Sequence, residues 1–277
     1  MRLKIFFTFF SFTISISAQT VMVDSFYAPS LKRMKTFSVI LPEGYSKNVH
    51  HPVLYLLHGY GGNHQNWLQL SKIKEYVKDL PLIVILPNAE NSWYVNSFTD
   101  TLMRYEDFIM KDLLKYIRTQ YSIDIGKQAI AGLSMGGYGS VMLSLKNPAV
   151  FRFAGSLSGA ITVPGDLKQR EQSVWGKNSL PSLKKTFGFP VNPESKTYDV
   201  FHLSSTKKAD STTYYYITVG INDGFVTFLG ANRALADSLR VHKIPYEYHE
   251  VPGGHNWKFW DREIQSLLRQ LRIVLGF

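Results

Sequence analysis

The chain has no cysteine in its 277 residues. That excludes a disulfide framework, a lipid-modified N-terminal cysteine, thiolate chemistry and cysteine metal sites. It also lacks any apolar run long enough to span a bilayer as an anchor. There is no Ser/Gly-rich linker, internal repeat or low-complexity tract, so nothing divides the chain into several domains. The formal net charge is +10, yet the lysines and arginines form no basic run and no interleaved aromatic platform. Nucleic acid is therefore not an expected partner, while acidic polysaccharide or anionic surfaces stay open.

The first residues, MRLKIFFTFFSFTISISAQT, place Arg2 and Lys4 before an apolar core from Ile5 to Ile16 and small residues ending at Ala18. This pattern is that of a secretory signal cut between Ala18 and Gln19, giving an exported protein, periplasmic or extracellular. Loss of two basic residues and no acidic ones takes the charge from +10 to +8. About 260 residues remain, a normal size for one large α/β domain spanning 19–277.

The stretch QAIAGLSMGGYGSVML, residues 128–143, organises the rest. Ala129, Ile130 and Ala131 suit a buried strand, and Val141, Met142 and Leu145 recur at helical spacing. Between them lies Gly132-Leu133-Ser134-Met135-Gly136, a strand-turn-helix with a serine at the turn, the context of a nucleophile elbow. The similar Gly155-Ser156-Leu157-Ser158-Gly159 has leucine at its centre and reads as the end of the following strand.

Hydrophobic patterning predicts edge strands between Val21 and Tyr45, clearest at Met34 to Leu41, then buried strands at Val53 to Leu57 and Leu82 to Leu86. Helices are expected from about Asn66 to Asp79 and from Tyr105 to Tyr121. Further strands fall at Gln128 to Ala131, Phe153 to Leu157, Tyr214 to Val219 and Tyr246 to Val251. Helices at Val226 to His242 and Trp257 to Leu275 complete the alternation, which argues for a mostly parallel central sheet covered by helices on both faces. The pattern lapses from Ile161 to Thr213. That segment reads as an insertion over the active-site end of the sheet, with helical pieces near Leu167 to Gly176 and Ser182 to Phe187.

Two further loops follow strands directly: Gly220-Ile221-Asn222-Asp223-Gly224 and Pro252-Gly253-Gly254-His255-Asn256. In a parallel α/β sheet the carboxyl ends of the strands gather at one edge, so Ser134, Asp223 and His255 can converge there. Their order is that of an α/β-hydrolase triad. The rival acids are weaker, Asp237 lying along a helix and Glu250 inside a strand; the rival histidines are His58, His64, His202 and His249. His58-Gly59-Tyr60-Gly61-Gly62 is too poor in the required residues for a phosphate loop. Its position after the third strand matches the loop that gives one oxyanion donor. The expected donors are the amides of Met135 and Tyr60, with Gly61 as the alternative to Tyr60, and His58 shaping the loop.

Together HGYGG, NSWYVNS, GLSMGG, GINDGF and PGGHNW resemble the esterase D or "putative esterase" group of the α/β-hydrolase superfamily, along nearly all of the chain after the signal. That group includes secreted feruloyl and acetylxylan esterases, tributyrin-type carboxylesterases, S-formylglutathione hydrolases and mycolyltransferases. The resemblance implies carboxylic ester hydrolysis without metal or other cofactor, with Ser134, Asp223 and His255 as triad. Aromatic residues in loops expected to face the site, Trp67, Trp93, Tyr94, Tyr138 and Trp257, suit a sugar ring or phenolic acyl group. The expected substrate is an acetyl or feruloyl ester on a glycan. A general short-chain carboxylesterase, an acyltransferase or peptidase, or a non-catalytic carbohydrate-binding protein are the other readings of the fold.

Overall fold

The computed structural model describes residues 19–165, 174–206 and 213–277. The expected signal, residues 1–18, and most of the expected helical piece Leu167 to Gly176 lie outside them. The core is one eight-stranded sheet in the order β1-β2-β4-β3-β5-β6-β7-β8. Its strands are β1 (Thr20–Ala28), β2 (Arg33–Leu41), β3 (His51–Leu57), β4 (Ile83–Pro87), β5 (Ile123–Leu133), β6 (Phe153–Leu157), β7 (Tyr214–Gly220) and β8 (Tyr246–Val251). The pairings β1 with β2 and β2 with β4 are antiparallel, and all the others are parallel. Parallel neighbours require crossover connections, which the helices supply.

Strand periodicity divides the apolar side chains between two layers. Val53, Tyr55 and Leu57 of β3 enter one cluster and Leu54 and Leu56 the other, as the period of two requires. The first layer is closed by a helix over residues 105–120, α3, by α4 (Met135–Lys146) and by α7 (Val226–Val241). The second is closed by the short α1 (Asn66–Leu70) and α2 (Ile73–Tyr76) and by α8 (Trp257–Leu275). On α8 the buried residues Phe259, Trp260, Glu263, Ile264, Leu267, Leu268, Leu271 and Leu275 form one stripe at helical spacing. Helix α4 is buried from Met135 through Leu145, so the segment after Ser134 has no solvent face.

Three elements differ from expectation. The helix expected at Asn66 to Asp79 is two short ones, because Ser71 is extended (φ −140°) and its hydroxyl donates to Trp67 O, while the Lys72 amide turns to Asp261. The helix over 105–120 contains a π-helical turn, Phe108–Leu113, which periodicity does not distinguish from an α turn. In the segment 161–213, α5 (Val174–Phe187) runs unbroken through Ser182 with Pro181 inside it, where two separate pieces were expected. A 3₁₀ turn, Pro193–Tyr198, and α6 (Val200–Thr206) follow. No described helix is long and apolar enough to cross a membrane.

Candidate active site

Ser134 lies between the last residue of β5 and the first of α4, at φ 52° and ψ −116°. A non-glycine residue there costs on the order of 1–3 kcal/mol and persists only where its surroundings fix it. Here the Ser134 amide donates to Leu157 O (3.0 Å), and its carbonyl accepts from Tyr138 N (3.0 Å) and Ala160 N (3.1 Å). Gly132 and Gly136 are sterically required. A Cβ on Gly132 would lie 2.6 Å from the Gly136 carbonyl, and one on Gly136 would lie 2.7 Å from the carbonyl oxygens of Leu57 and His58.

Asp223 and His255 follow β7 and β8. Their loops are joined by hydrogen bonds from Ile221 N to Val251 O and from Asn222 N to Gly253 O, both 3.0 Å. Asp223 Oδ1 accepts the Phe225 amide (3.0 Å), which fixes the carboxylate and leaves Oδ2 facing His255 Nδ1 at 2.9 Å. His255 Nε2 lies 2.9 Å from Ser134 Oγ. The Asp223 side chain is fully buried and that of His255 is only 7% exposed, so water competes weakly for these bonds. Phe225, Phe228 and Trp260 meet the imidazole edge-on, with centroids 4.6, 5.2 and 4.9 Å away. Sequence reasoning had no signal for this aromatic enclosure beyond the apolar spacing of two helices.

The loop after β3 packs on the serine: a Cβ on Gly59 would lie 3.5 Å from Ser134 Cβ. His58 is buried and holds the loop at both ring nitrogens, Nδ1 donating to Gly59 O (2.8 Å) and Nε2 accepting the Ala89 amide (3.0 Å). Burial pushes its pKa down to about 4, and the Ala89 bond needs the unprotonated nitrogen. The Tyr94 hydroxyl donates to His58 O at 2.9 Å. Of the expected oxyanion donors, Met135 opens α4, where an N–H has no carbonyl one turn earlier. The Gly61 amide, the alternative to Tyr60, is already bonded to Asn91 Oδ1 at 2.6 Å, which leaves Tyr60 as the candidate from this loop. Asn91 did not emerge as a site residue from sequence; the signal was its place in NSWYVNS, within a loop that turns through positive φ at Glu90, Trp93 and Tyr94.

The aromatic expectations need correction. Trp67 is 1% exposed and its indole donates to Leu57 O; Tyr94 and Tyr138 are fully buried, the latter's hydroxyl bonded to Tyr198 O. These three are core side chains without a face for substrate, because large rings in short loops still bury wherever the neighbouring layer accepts them. Trp93 is 2% exposed and donates to Ser182 of α5. Trp257 is half-buried, edge-on to Trp67 and Trp260. The rivals lie elsewhere: Asp237 pairs with Arg240, Glu250 with Arg233, His64 with Ser38 and His249 with Glu247, while His202 is exposed on α6.

The sheet order, the strained serine between strand and helix, and the Ser134–His255–Asp223 chain define the α/β-hydrolase fold and the serine hydrolase class. The family described as "Putative esterase" matches residues 28–271, and the chain belongs to it; it is a carboxylic ester hydrolase. It is 28% identical over 263 residues to an acetyl esterase of Caldicellulosiruptor saccharolyticus, covering 89% of this chain and 96% of that one. It is 30% identical over 176 residues to an endo-1,4-beta-xylanase/feruloyl esterase of Xylanibacter ruminicola, covering 58% of this chain and 24% of that longer protein. Among solved structures it is similar to the fluorophosphonate-binding serine hydrolase FphF of Staphylococcus aureus. That match has a TM-score of 0.77 at 23% identity over 92% of this chain and 99% of the other.

Proposed function

We propose that the protein is an exported carboxylesterase that cleaves acetyl or feruloyl esters on glycans through a covalent acyl-enzyme. The observation that carries the reading is the continuous hydrogen-bonded chain from Asp223 through His255 to Ser134 Oγ, at 2.9 Å for each link. A neutral serine is a weak nucleophile, so His255 Nε2 takes its proton as Oγ attacks the ester carbonyl. Asp223 holds the tautomer with Nδ1 protonated and stabilises the imidazolium that forms. The amides of Met135 and Tyr60 receive the developing oxyanion; one such donor is worth about 3 to 4 kcal/mol in the transition state. His255 then protonates the departing alcohol, and water repeats the sequence on the acyl-serine.

The glycan ester is supported by the acetyl esterase and xylanase/feruloyl esterase relatives. Burial of Trp67, Tyr94 and Tyr138 removes most of the expected aromatic wall, and this favours a second reading, a general short-chain carboxylesterase. Export rests on the charged, apolar and small-residue regions of residues 1–18.

The test is hydrolysis of p-nitrophenyl acetate, p-nitrophenyl butyrate, methyl ferulate and acetylated xylan by the processed protein and by Ser134→Ala. The expected result is turnover by the wild type, a loss of several orders of magnitude in the variant, and the highest kcat/KM on a glycan or feruloyl ester. Equal or better turnover of the short aryl esters would favour the second reading. Inactivity on all four would count against both.

A further inference from the structure

We propose that the groove beside the oxyanion loop, roofed on one side by α5, binds the glycan portion of the substrate and selects a carboxylate-bearing sugar. The inference rests on the esterase reading above and adds the charge of the alcohol. The groove holds about 710 Å³ and is lined in part by Lys32, Arg33, Glu90, Asn91, Asp100 and Lys185. Cavities of roughly 300–1,000 Å³ accept ligands of oligosaccharide-fragment size.

Its position follows from Asn91, which lines the groove and at the same time accepts the Gly61 amide. Two residues earlier in that loop, Gly59 abuts Ser134. A glycan whose ester carbonyl is presented to Ser134, and which extends past this loop, is led toward the groove. Leu102 and Met103 add apolar lining, onto which the C–H faces of a sugar can pack.

The charge balance points to an anion. Glu90 is matched twice, by Arg33 at 3.0 Å and by Lys35 at 2.8 Å, and Asp100 is matched by Lys185 at 3.1 Å. Lys32 makes no ion pair among the described residues, so cations outnumber carboxylates in and directly behind the lining. Lys35 is only 4% exposed, whereas the side chains of Arg33 and Lys185 are 47% and 56% exposed. The inner cation therefore neutralises Glu90 from below, while Lys32, Arg33 and Lys185 present donors to the open side. A neutral sugar would leave this excess unanswered; a uronate carboxylate would meet it with charge-assisted hydrogen bonds.

The experiment compares acetylated xylo-oligosaccharides with and without a glucuronate branch, at low and high salt, in wild type and in the double variant Lys32→Asn/Lys185→Gln. The expected result is a preference for the acidic substrate of about fivefold at low salt, carried by KM, that falls toward one at high salt and in the double variant. Binding of the two deacetylated oligosaccharides to Ser134→Ala reads the groove without turnover, and the acidic one binds tighter by a similar factor. Equal kcat/KM and equal binding would overturn the groove proposal and leave the esterase reading standing. Tighter binding of the acidic chain with no turnover of any ester by the wild type would keep a carboxylate-binding groove and overturn its role in ester cleavage.

Discussion

Gly220, the last residue of β7, lies so close to Gly253, just after β8, that a Cβ at position 220 would come within 2.3 Å of the Gly253 carbonyl oxygen. Three residues beyond the first stands Asp223, and two beyond the second stands His255. The contact brings the acid and the base within one hydrogen bond. Gly220→Ala must push the two loops apart, since the atom it would strike is backbone. We expect kcat to fall about a hundredfold, the scale of an ångström-sized misplacement, with the circular dichroism spectrum unchanged. Steady-state kinetics on p-nitrophenyl acetate checks this.

Asp223→Asn keeps size and leaves the Phe225 bond to Oδ1 possible, but it removes the charge that faces His255 Nδ1. The imidazole loses both its tautomer preference and the partner of its protonated form. The expected fall in kcat is about 10³- to 10⁴-fold, with KM changed far less. Asp237→Asn, on the exposed face of α7, changes kcat by less than about twofold.

Asn91→Ala deletes the acceptor of the Gly61 amide and loosens the loop that carries Tyr60, the proposed oxyanion donor. A whole oxyanion donor is worth about 10²- to 10³-fold, so its displacement is expected to cost about tenfold in kcat. KM for a small aryl ester, which does not reach the groove beyond Asn91, stays within about twofold.

His58 makes stability depend on pH. Its pKa is about 4 in the folded protein against an ordinary value of 6.5, because it is buried. Between those values the unfolded chain binds a proton that the folded chain does not, so stability is complete above pH 6.5 and declines as the pH falls toward 4. The decline from this residue amounts to about 3 kcal/mol. Urea unfolding at pH 7 and at pH 4.5 measures it. The His58→Gln protein, less stable at pH 7, shows a shallower decline, since the largest histidine contribution is gone and what remains comes from His64, whose pKa burial also lowers, and from the carboxylates.

Much of this architecture is legible in the amino-acid order. Phe153–Leu157, Tyr246–Val251 and Trp257–Leu275 fall where local patterning puts them; the first is a short strand buried at every residue, the second is half-buried along its length, and the helix carries one buried stripe at helical spacing. Ser134, Asp223 and His255 can be singled out because each follows a strand and sits among glycines, and the structure brings their side chains into one hydrogen-bonded chain. Asn91 could not be weighed in the same way. Its turn is held by contacts with Gly61 and with the rest of a loop whose positive φ values belong to non-glycine residues, a conformation no local preference announces. The aromatic residues misled for a related reason: whether Trp67 or Tyr138 faces solvent is decided by layers distant in sequence. Tyr138, next to the serine's helix turn, reaches Tyr198 in the insertion.

In the proposed reaction Ser134 Oγ carries the acyl group. The most direct measurement of this is covalent labelling with a fluorophosphonate, followed by peptide mass spectrometry, in wild type, Ser134→Ala and His255→Ala. One adduct is expected, on the peptide containing Ser134, absent from Ser134→Ala and formed at least a hundredfold more slowly in His255→Ala. An adduct on another residue, or ester turnover by Ser134→Ala at the wild-type rate, would contradict this role of Ser134.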